Sequence, residues 1–321
     1  MLNIFMLLMK LFKVYMIMMT FLNYLILVIC VLINVAFITL LERKILGYSQ
    51  LRKGPNKVSV GGILQPFNDA IKLFSKESFK PVSSNKILYL FSPALAITFS
   101  LVVFSSFPFF EMNFSFGLTM ILIYMVLSMN VYPTLISGWS SNSKYAMVGS
   151  LRAVAQTISY EVSLALIFLF FLTFSSSLSL TFCSQENFFW GKYFLYFPML
   201  GLWLISCIAE TNRTPFDFAE GESELVSGFN IEYGAVSFAM IFMAEYASIY
   251  FMSVLFTVFF LPFQPGGVSC AFSSTILVFI WVWARTTLPR YRFDLLMNMA
   301  WKFYLPVTLF FFGYAVSGVY F

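Results

Sequence analysis

The stretch that decides the fold is Gly234–Phe260, which reads GAVSFAMIFMAEYASIYFMSVLFTVFF. A helix needs about 20 apolar residues to cross the roughly 30 Å hydrocarbon layer of a membrane, and this stretch is longer than that. Glu245, near its middle, is the one charged residue in it. Because polar and apolar residues do not alternate, a membrane β-strand is disfavoured. The stretch therefore predicts a membrane-spanning α-helix that carries one acid.

The rest of the chain has the same character. Of its 321 residues, 60% are hydrophobic and 10% are charged, and the mean hydropathy is +0.86. Ordinary soluble domains are about 25% charged. The composition excludes a soluble enzyme, a nucleic-acid binder and a secreted disulfide scaffold. It predicts an all-α integral membrane protein with about eight transmembrane helices: Met16–Leu41, Tyr89–Phe110, Leu118–Gly138, Ala153–Thr173, Tyr193–Ala209, Gly234–Phe260, Phe272–Thr287 and Ala300–Tyr320.

The basic residues predict how the chain is oriented. All Lys and Arg residues except Lys10, Lys13 and Lys192 lie in the segments that follow odd-numbered helices. Loops rich in Lys and Arg stay on the cytoplasmic or matrix side of a membrane. With an even number of helices, both termini then lie on the opposite side.

The chain is predicted to form a single polytopic membrane domain over residues 1–321. Residues 1–15 form an apolar N-terminal lead-in that is too short to span a membrane. Residues 43–88 form a basic loop and residues 210–233 an acidic loop on the same side. Within the basic loop, apolar residues recur at helical spacing, which predicts an amphipathic surface helix against the membrane. These residues are Ile63, Phe67, Ile71 and Phe74.

Several kinds of redox or catalytic site are excluded. The chain has no His, which excludes His-ligated haem, His-based metal sites and a Ser-His-Asp triad. No glycine-rich nucleotide motif is present. The Cys residues are dispersed and form no CxxC motif, so the sequence predicts no metal site or iron–sulfur cluster, and electrons for redox chemistry must come from a partner. They are Cys30, Cys183, Cys207 and Cys270.

Four carboxylates lie within or at the ends of the apolar helices. Glu42 ends the first helix, Glu161 is in the fourth, Glu210 ends the fifth and Glu245 lies within the sixth. A charge at the centre of a bilayer costs roughly 2.5–3.5 kcal/mol on insertion scales, so these groups must face protein or water. Buried carboxylates that gain and lose protons are what a proton path needs. The simpler alternative is structural ion pairing with Arg43, Arg152 or Arg285.

Half of the chain's 14 acidic residues fall between Glu210 and Glu245, a region that begins with the acidic loop. Pro215 disfavours continuation of the fifth helix at Thr214, and Gly221 and Gly228 permit backbone angles that allow the loop to switch. A merely solvated acidic loop is the alternative. The acidic residues of this region are Glu210, Asp217, Glu220, Glu222, Glu224, Glu232 and Glu245.

Three segments carry a family resemblance. The first is LERKILGY at 41–48, followed by QLRKGPN at 50–56. The second is LRAVAQTISYE at 151–161, and the third, the most specific, is AETNRTPFD at 209–217 with AEGESELVSGFN at 219–230. On these segments the chain, from about Phe21 to its end, resembles the NADH dehydrogenase subunit 1 family of mitochondrial respiratory complex I, the NADH:ubiquinone oxidoreductase.

The resemblance implies a core membrane subunit of a proton-translocating NADH:ubiquinone reductase in the mitochondrial inner membrane, with both termini on the intermembrane-space side. Members of this family form the ubiquinone tunnel with the peripheral arm and couple quinone reduction to proton translocation. The implied substrate is ubiquinone, and the chain has no redox centre of its own. FMN and iron–sulfur clusters are expected on partner subunits. The implied partners are the quinone-module subunits of the peripheral arm, neighbouring membrane-arm subunits and lipids, without nucleic acid.

The resemblance also implies residue roles. Intramembrane proton transfer would use Glu161, Glu210 and Glu245, and also Glu42. The carboxylates that link these groups to the quinone cavity would be Asp217, Glu220, Glu222 and Glu224. The quinone tunnel or its mouth would be lined by Arg43, Arg52, Asp69, Phe229 and Arg285.

Two other functions remain open on the sequence. One is a stand-alone proton or ion transporter that uses the same buried acids, although such folds often contain an internal repeat and none is seen in this chain. The other is a membrane anchor of a related, hydrogenase-type redox complex. The proteins that copurify with the chain would distinguish these alternatives.

Overall fold

The computed structural model describes residues 2–107, 117–175, 177–180, 193–218, 221, 228–230, 232–261 and 266–320. Within these ranges the regular structure is helical. The α-helices are α1 (Leu2–Ser49), α2 (Gln65–Ser75), α3 (Lys86–Phe104), α4 (Thr119–Met129), α5 (Val131–Ser140), α6 (Lys144–Ser175), α7 (Tyr193–Glu210), α8 (Ala235–Phe260), α9 (Val268–Thr287), α10 (Phe293–Met299) and α11 (Leu305–Tyr320).

The prediction of an all-α membrane protein is confirmed. Seven helical segments of the described chain are long and apolar enough to cross a membrane, with α4 and α5 acting as one segment and α10 and α11 as another. The fifth predicted helix, Tyr193–Ala209, is present as α7, but its apolar part, Phe197–Glu210, is shorter than those seven. The side of the membrane on which the termini lie stays a prediction.

Helix α1 is longer than the apolar run predicted. It is continuous over Leu2–Ser49, so the lead-in joins the first span, and its C-terminal end extends beyond Leu41 by about two turns. Residues 41–46 read LERKIL, and most of these residue types have high helix propensity. The extension places Glu42 and Arg43 on the helix itself, where Glu42 meets cationic partners from later helices.

Prolines explain three departures from the predicted boundaries. The third predicted helix is divided at Asn130, because the nitrogen of Pro133 cannot donate to the carbonyl of Met129. The last helix contains a π-helical turn, Ala300–Tyr304, immediately before Pro306. Helix α3 ends at Phe104 rather than at the predicted Phe110, since the residue before Pro108 is disfavoured in a helix.

Helices α6, α7 and α8 meet in an aromatic core. Trp203 of α7 packs edge-on against Phe168 of α6 and Phe259 of α8, with ring centroids 5.5 and 5.1 Å apart. Phe171 stacks on Phe259 at 4.6 Å. Because α6, α7 and α8 carry Glu161, Glu210 and Glu245 respectively, this packing brings the helices with the intramembrane acids together.

The basic loop contains the amphipathic helix predicted, now α2. Phe67 packs edge-on against Phe37 of α1 at 6.2 Å between ring centroids. The other apolar side chains of its face are at least half exposed in the chain alone. This face therefore suits lipid or a partner, and its contact with the membrane stays a prediction.

Candidate functional site

The two central acids line one cavity, whose walls are mainly apolar. It has a volume of about 100 Å³ between α3 and α8, and both Glu210 and Glu245 reach it. Its remaining polar wall consists of hydroxyl and amide side chains, which can hold chains of hydrogen-bonded water. Among them are Ser92, Asn130, Thr134, Thr157 and Ser248.

Glu210 is the central group of this cavity. Its Oε2 atom is buried and has no hydrogen-bond partner among the described residues, and the same holds for Oδ1 of Asn212. Buried polar atoms of this kind are normally satisfied by ordered water. Glu161 lies close enough to Glu210 for their charges to interact and accepts a hydrogen bond from the Tyr124 hydroxyl. Glu161 and Glu210 are therefore adjacent members of one acidic series.

Glu42 lies in a second, smaller cavity of about 30 Å³. Its side chain is 7% exposed and forms an ion pair with Arg285 of α9. The Tyr246 hydroxyl of α8 donates a further hydrogen bond to it. The other walls of this cavity are mainly apolar, with Ile38, Ile249 and Val282 among them. Apolar walls therefore surround the paired carboxylate of Glu42.

Arg213, just after α7, lies between the two cavities. Its Nη1 atom is 3.9 Å from Oε1 of Glu42, and its Nη2 atom is 3.5 Å from Oε2 of Glu245. Its guanidinium lies 4.5 Å from the ring centroid of Tyr246. Thr211 lines both cavities. The predicted acids Glu210, Glu245 and Glu42 thus belong to one connected polar region.

Asp217 is placed beside this region but in neither cavity. Its buried carboxylate pairs with Arg290, at 3.1 Å between Nη2 and Oδ2. Gln156 of α6 holds the preceding segment, since its Nε2 donates to the carbonyls of Ala209 and Phe216 at 2.9 and 2.8 Å. These contacts join the end of α7 to α6 and to the segment after α9.

The C-terminal end of the acidic loop is anchored on α3 and α6. Tyr233 stacks on Tyr89, and its hydroxyl lies 2.9 Å from Oγ of Ser92. Burial raises the pKa of Tyr233, although hydrogen bonds to Ser140 and Ser92 act in the opposite direction. Phe229 is buried and lines the first cavity, next to the central acids. The other predicted acids of this loop, Glu220, Glu222 and Glu224, lie outside the described residues.

The remaining predicted quinone residues lie in the basic segment. Arg43 pairs with Asp69 of α2 at 2.5 Å, and Gln65 donates to the other oxygen of Asp69 at 2.9 Å. Arg52 is exposed in the loop that follows α1. The structure therefore groups Arg43 with Asp69, and it places Arg285 with Glu42 in the smaller cavity.

Five side chains in or beside the site were not singled out as site residues from the sequence. Arg213 lies inside the most specific motif and Tyr246 directly follows Glu245, so proximity to the predicted acids was a usable signal for both. The other three act across long sequence distances, which a single sequence does not show: Tyr124, Gln156 and Arg290. Among the described residues no group of three His, Cys, Asp or Glu side chains is arranged to hold a metal ion.

Nearly the whole chain is similar to known proteins. A family model described as NADH dehydrogenase matches residues 22–316. NADH-ubiquinone oxidoreductase chain 1 of Aedes aegypti is 54% identical over 285 residues, covering 88% of this chain and 91% of the relative. The protein of the same name from Locusta migratoria is 52% identical over 298 residues, covering 91% of this chain and 94% of the relative. The protein of the same name from Sminthopsis macroura is 46% identical over 291 residues, covering 88% of this chain and 91% of the relative.

Proposed function

The chain belongs to the NADH dehydrogenase family and is a core membrane subunit of respiratory complex I, and from this premise we propose that its two cavities link ubiquinone reduction to proton movement. The observation that carries the proposal is a series of four acids: Glu210 and Glu245 line one cavity, Glu42 lines a second that shares Thr211 with the first, and Glu161 interacts with Glu210. A multi-pass subunit with this series has groups that can hold protons inside the membrane.

The region around the smaller cavity is the proposed approach for the quinone head group. Ile38, Ile249 and Val282 provide apolar walls, and Arg285 provides a cationic hydrogen-bond donor at the end of Glu42. Arg43, Arg52 and Asp69 are proposed to line the entrance from the basic side. Phe229, which borders the first cavity, is proposed to separate the quinone path from the acids.

The proposed coupling is electrostatic. Reduction of ubiquinone to ubiquinol takes up a pair of electrons and a pair of protons, with electrons from NADH delivered by partner subunits that carry FMN and iron–sulfur clusters. Charge that develops in a poorly solvated cavity interacts strongly with nearby carboxylates. Glu42 and Glu245 are therefore proposed to change their proton occupancy with the state of the quinone. Glu210 and Glu161 would pass this change toward the neighbouring membrane-arm subunits.

The acidic loop is proposed to connect the quinone cavity to this series. Asp217 marks its beginning and is held by Arg290, while Tyr233 marks its end. Both fixed ends lie on the side proposed to face the mitochondrial matrix, where the quinone module of the peripheral arm would dock. Glu220, Glu222 and Glu224 are the carboxylates between them.

The test is Glu210→Gln in the assembled complex. Gln has the size of Glu but cannot carry a proton, so we expect NADH:ubiquinone reductase activity and proton translocation to fall about tenfold or more. Glu77→Gln is the matched control, since Glu77 is exposed in the segment after α2. Normal activity and normal proton translocation with Glu210→Gln would overturn the assigned role.

A further inference from the structure

The loop after α1 begins with an exposed leucine in an unusual backbone conformation. Leu51 is 98% exposed in the chain, and its φ angle of 58° lies in the left-handed region. Its amide donates to the carbonyl of Tyr48 at 3.1 Å, and the amide of Arg52 donates to the carbonyl of Gly47 at 2.7 Å. These two bonds form a Schellman motif at the end of α1, with Leu51 at the left-handed position.

Leucine is an unusual residue for this position. Glycine, and less often asparagine, occupies it in such motifs, because the Cβ of other residues crowds the backbone there. Strained backbone of this kind is concentrated at functional sites. Since Leu51 is exposed, burial within the chain does not offset its conformational cost. The side chain therefore points to a partner outside the chain.

Tight packing of the loop against α1 holds this side chain in place. A Cβ at Gly47 would lie 2.9 Å from the backbone nitrogen of Gly54, so the loop folds back closely on the end of the helix. Farther along, a Cβ at Gly62 would lie 2.2 Å from the carbonyl oxygen of Pro55. The loop thus presents Leu51 on a preorganised support, which lowers the ordering cost of binding.

Two exposed lysines follow Leu51 in the same loop. Lys53 and Lys57 line an open groove of about 500 Å³, and Gln65 forms part of its wall. Neither lysine forms an ion pair with any residue that the structure describes. Membrane topology accounts for basic residues on this side, but it does not account for an exposed leucine among them. A groove lined by unpaired cations suits a segment that carries carboxylates.

The position of Leu51 along α1 favours a protein partner over lipid. The apolar run of this helix ends at Leu41, while the helix itself continues to Ser49. At 1.5 Å per residue, this extension is about 12 Å long. The headgroup layer of each leaflet is about 5–7 Å thick. Leu51 therefore lies beyond the headgroups, on the side proposed to face the matrix.

We propose that Leu51, Lys53 and Lys57 form a docking surface for a partner subunit of the complex. The partner that fits has an apolar pocket that covers Leu51 and an acidic segment that lies in the groove between the lysines. An apolar anchor in a pocket supplies binding free energy, and the surrounding charges direct association. The inference rests on the proposed function for the identity of the partner, which belongs to the peripheral arm.

The test uses variants that suit the backbone at position 51. Leu51→Gly and Leu51→Asn place the preferred residue types in the Schellman motif, so the end of α1 should be preserved. In the solubilised, assembled complex, each should increase the rate at which the NADH-oxidising subunits dissociate from the membrane part about fivefold or more. Leu51→Met keeps an apolar side chain of similar volume and should dissociate like the wild type.

Val268→Ser is the matched control. Val268 is 89% exposed and begins α9, whose other end carries the partner of Glu42, Arg285. Val268 therefore lies at the opposite end of the span from the docking surface, and its replacement should leave the dissociation rate unchanged. Replacing Lys53 and Lys57 together by Gln should also raise the rate, and should weaken its dependence on salt, because fewer ion pairs remain to be screened.

Chemical labelling tests directly whether a partner covers position 51. Leu51→Cys should be protected from a water-soluble maleimide in the assembled complex and should react once the NADH-oxidising subunits have dissociated. Equal reactivity in both states would show an uncovered surface and would overturn the proposal. Protection in both states, as contact with lipid would produce, would overturn it as well.

The dissociation rates give an independent decision. Unchanged rates for Leu51→Gly and Leu51→Asn would remove the docking role from this side chain. Failure of these two variants to assemble, when Leu51→Met assembles, would support the role in its strongest form. The proposed function is tested separately by Glu210→Gln, because loss of coupling in that variant leaves the attachment of the partner subunits unchanged.

Discussion

Tyr89 and Tyr233 stack face to face, with their ring centroids 4.3 Å apart and their planes inclined by 3°. The Tyr89 hydroxyl also donates to the carbonyl of Glu232 at 2.5 Å. One aromatic pair therefore fixes the end of the acidic loop to α3, immediately before α8 begins.

Two substitutions at Tyr233 should separate the stack from the hydroxyl contacts. Tyr233→Phe retains the ring but loses the contact with Ser92, which should cost about 1 kcal/mol. Tyr233→Leu also loses the stack, for about another 0.5–1.5 kcal/mol. Thermal unfolding of the solubilised complex should rank wild type above Phe and Phe above Leu. Equal midpoints for the two variants would show that the stacking contributes nothing measurable.

A methyl group at position 149 should disturb the same end of the loop from the other side. A Cβ at Gly149 would lie 3.0 Å from Cα of Gly228, a tight contact that the backbone at Gly228 relieves only by giving way a few tenths of an ångström. Gly149→Ala should therefore lower quinone reductase activity, even though Ala favours helix over Gly by about 1 kcal/mol. Gly201→Ala on α7 is the control, since its Cβ would meet nothing within 4 Å. Similar activities for the two variants would contradict the close packing.

Loss of the Glu42 charge should destabilise the protein. Glu42→Gln leaves Arg285, whose side chain is one-third exposed, beside a neutral side chain, which should cost about 1–3 kcal/mol. Asp294→Asn removes an exposed partner of Arg292 and should cost less than about 1 kcal/mol. Denaturation of the solubilised complex, followed by loss of the assembled form, compares the two. Equal stability would show that Glu42 is not a structural partner of Arg285.

Gln156 should be needed for the shape of the segment after α7. Gln156→Leu removes this donor from the carbonyls of Ala209 and Phe216, which keep the backbone donors Asn212 and Phe218, so the loss should be about 0.5–1.5 kcal/mol for each. Because Glu210 and Asp217 directly follow these carbonyls, activity should fall together with stability. Gln50→Leu, at an exposed position, should change neither. Both quantities are measurable on one preparation, by reductase assay and by thermal unfolding.

Much of the fold was predictable, because long apolar runs have few alternatives to a membrane helix. Helix α8 begins one residue after the predicted Gly234 and ends at the predicted Phe260. Helix α1 departs more from its predicted bounds. The apolar run ends at Leu41, but the next residues favour helix and Glu42 forms an ion pair, so the helix extends beyond that residue. Apolar runs thus predict which segments span the membrane better than they predict where helices end.

The site was predictable in its acids but not in its pairing. Glu210 and Glu245 were expected to act together, and the structure places both in one cavity. The pairing of Arg213 with Glu42 and Glu245 depends on how α1, α7 and α8 pack. Similarly, the association of Asp217 with Arg290 joins segments that no local pattern relates. Tertiary packing determines such pairs, and a single sequence does not show which distant residues pack together.

The ion pair between Glu42 and Arg285 has a consequence for biosynthesis. The two residues are 243 positions apart in the chain, so Glu42 is inserted long before its partner is synthesised. Contacts of such separation form late, because the intervening segment must first be ordered. A chain released before α9 would leave the first helix with a carboxylate that lacks Arg285. The first helix therefore gains its full set of contacts at Glu42 only after α9 has been synthesised.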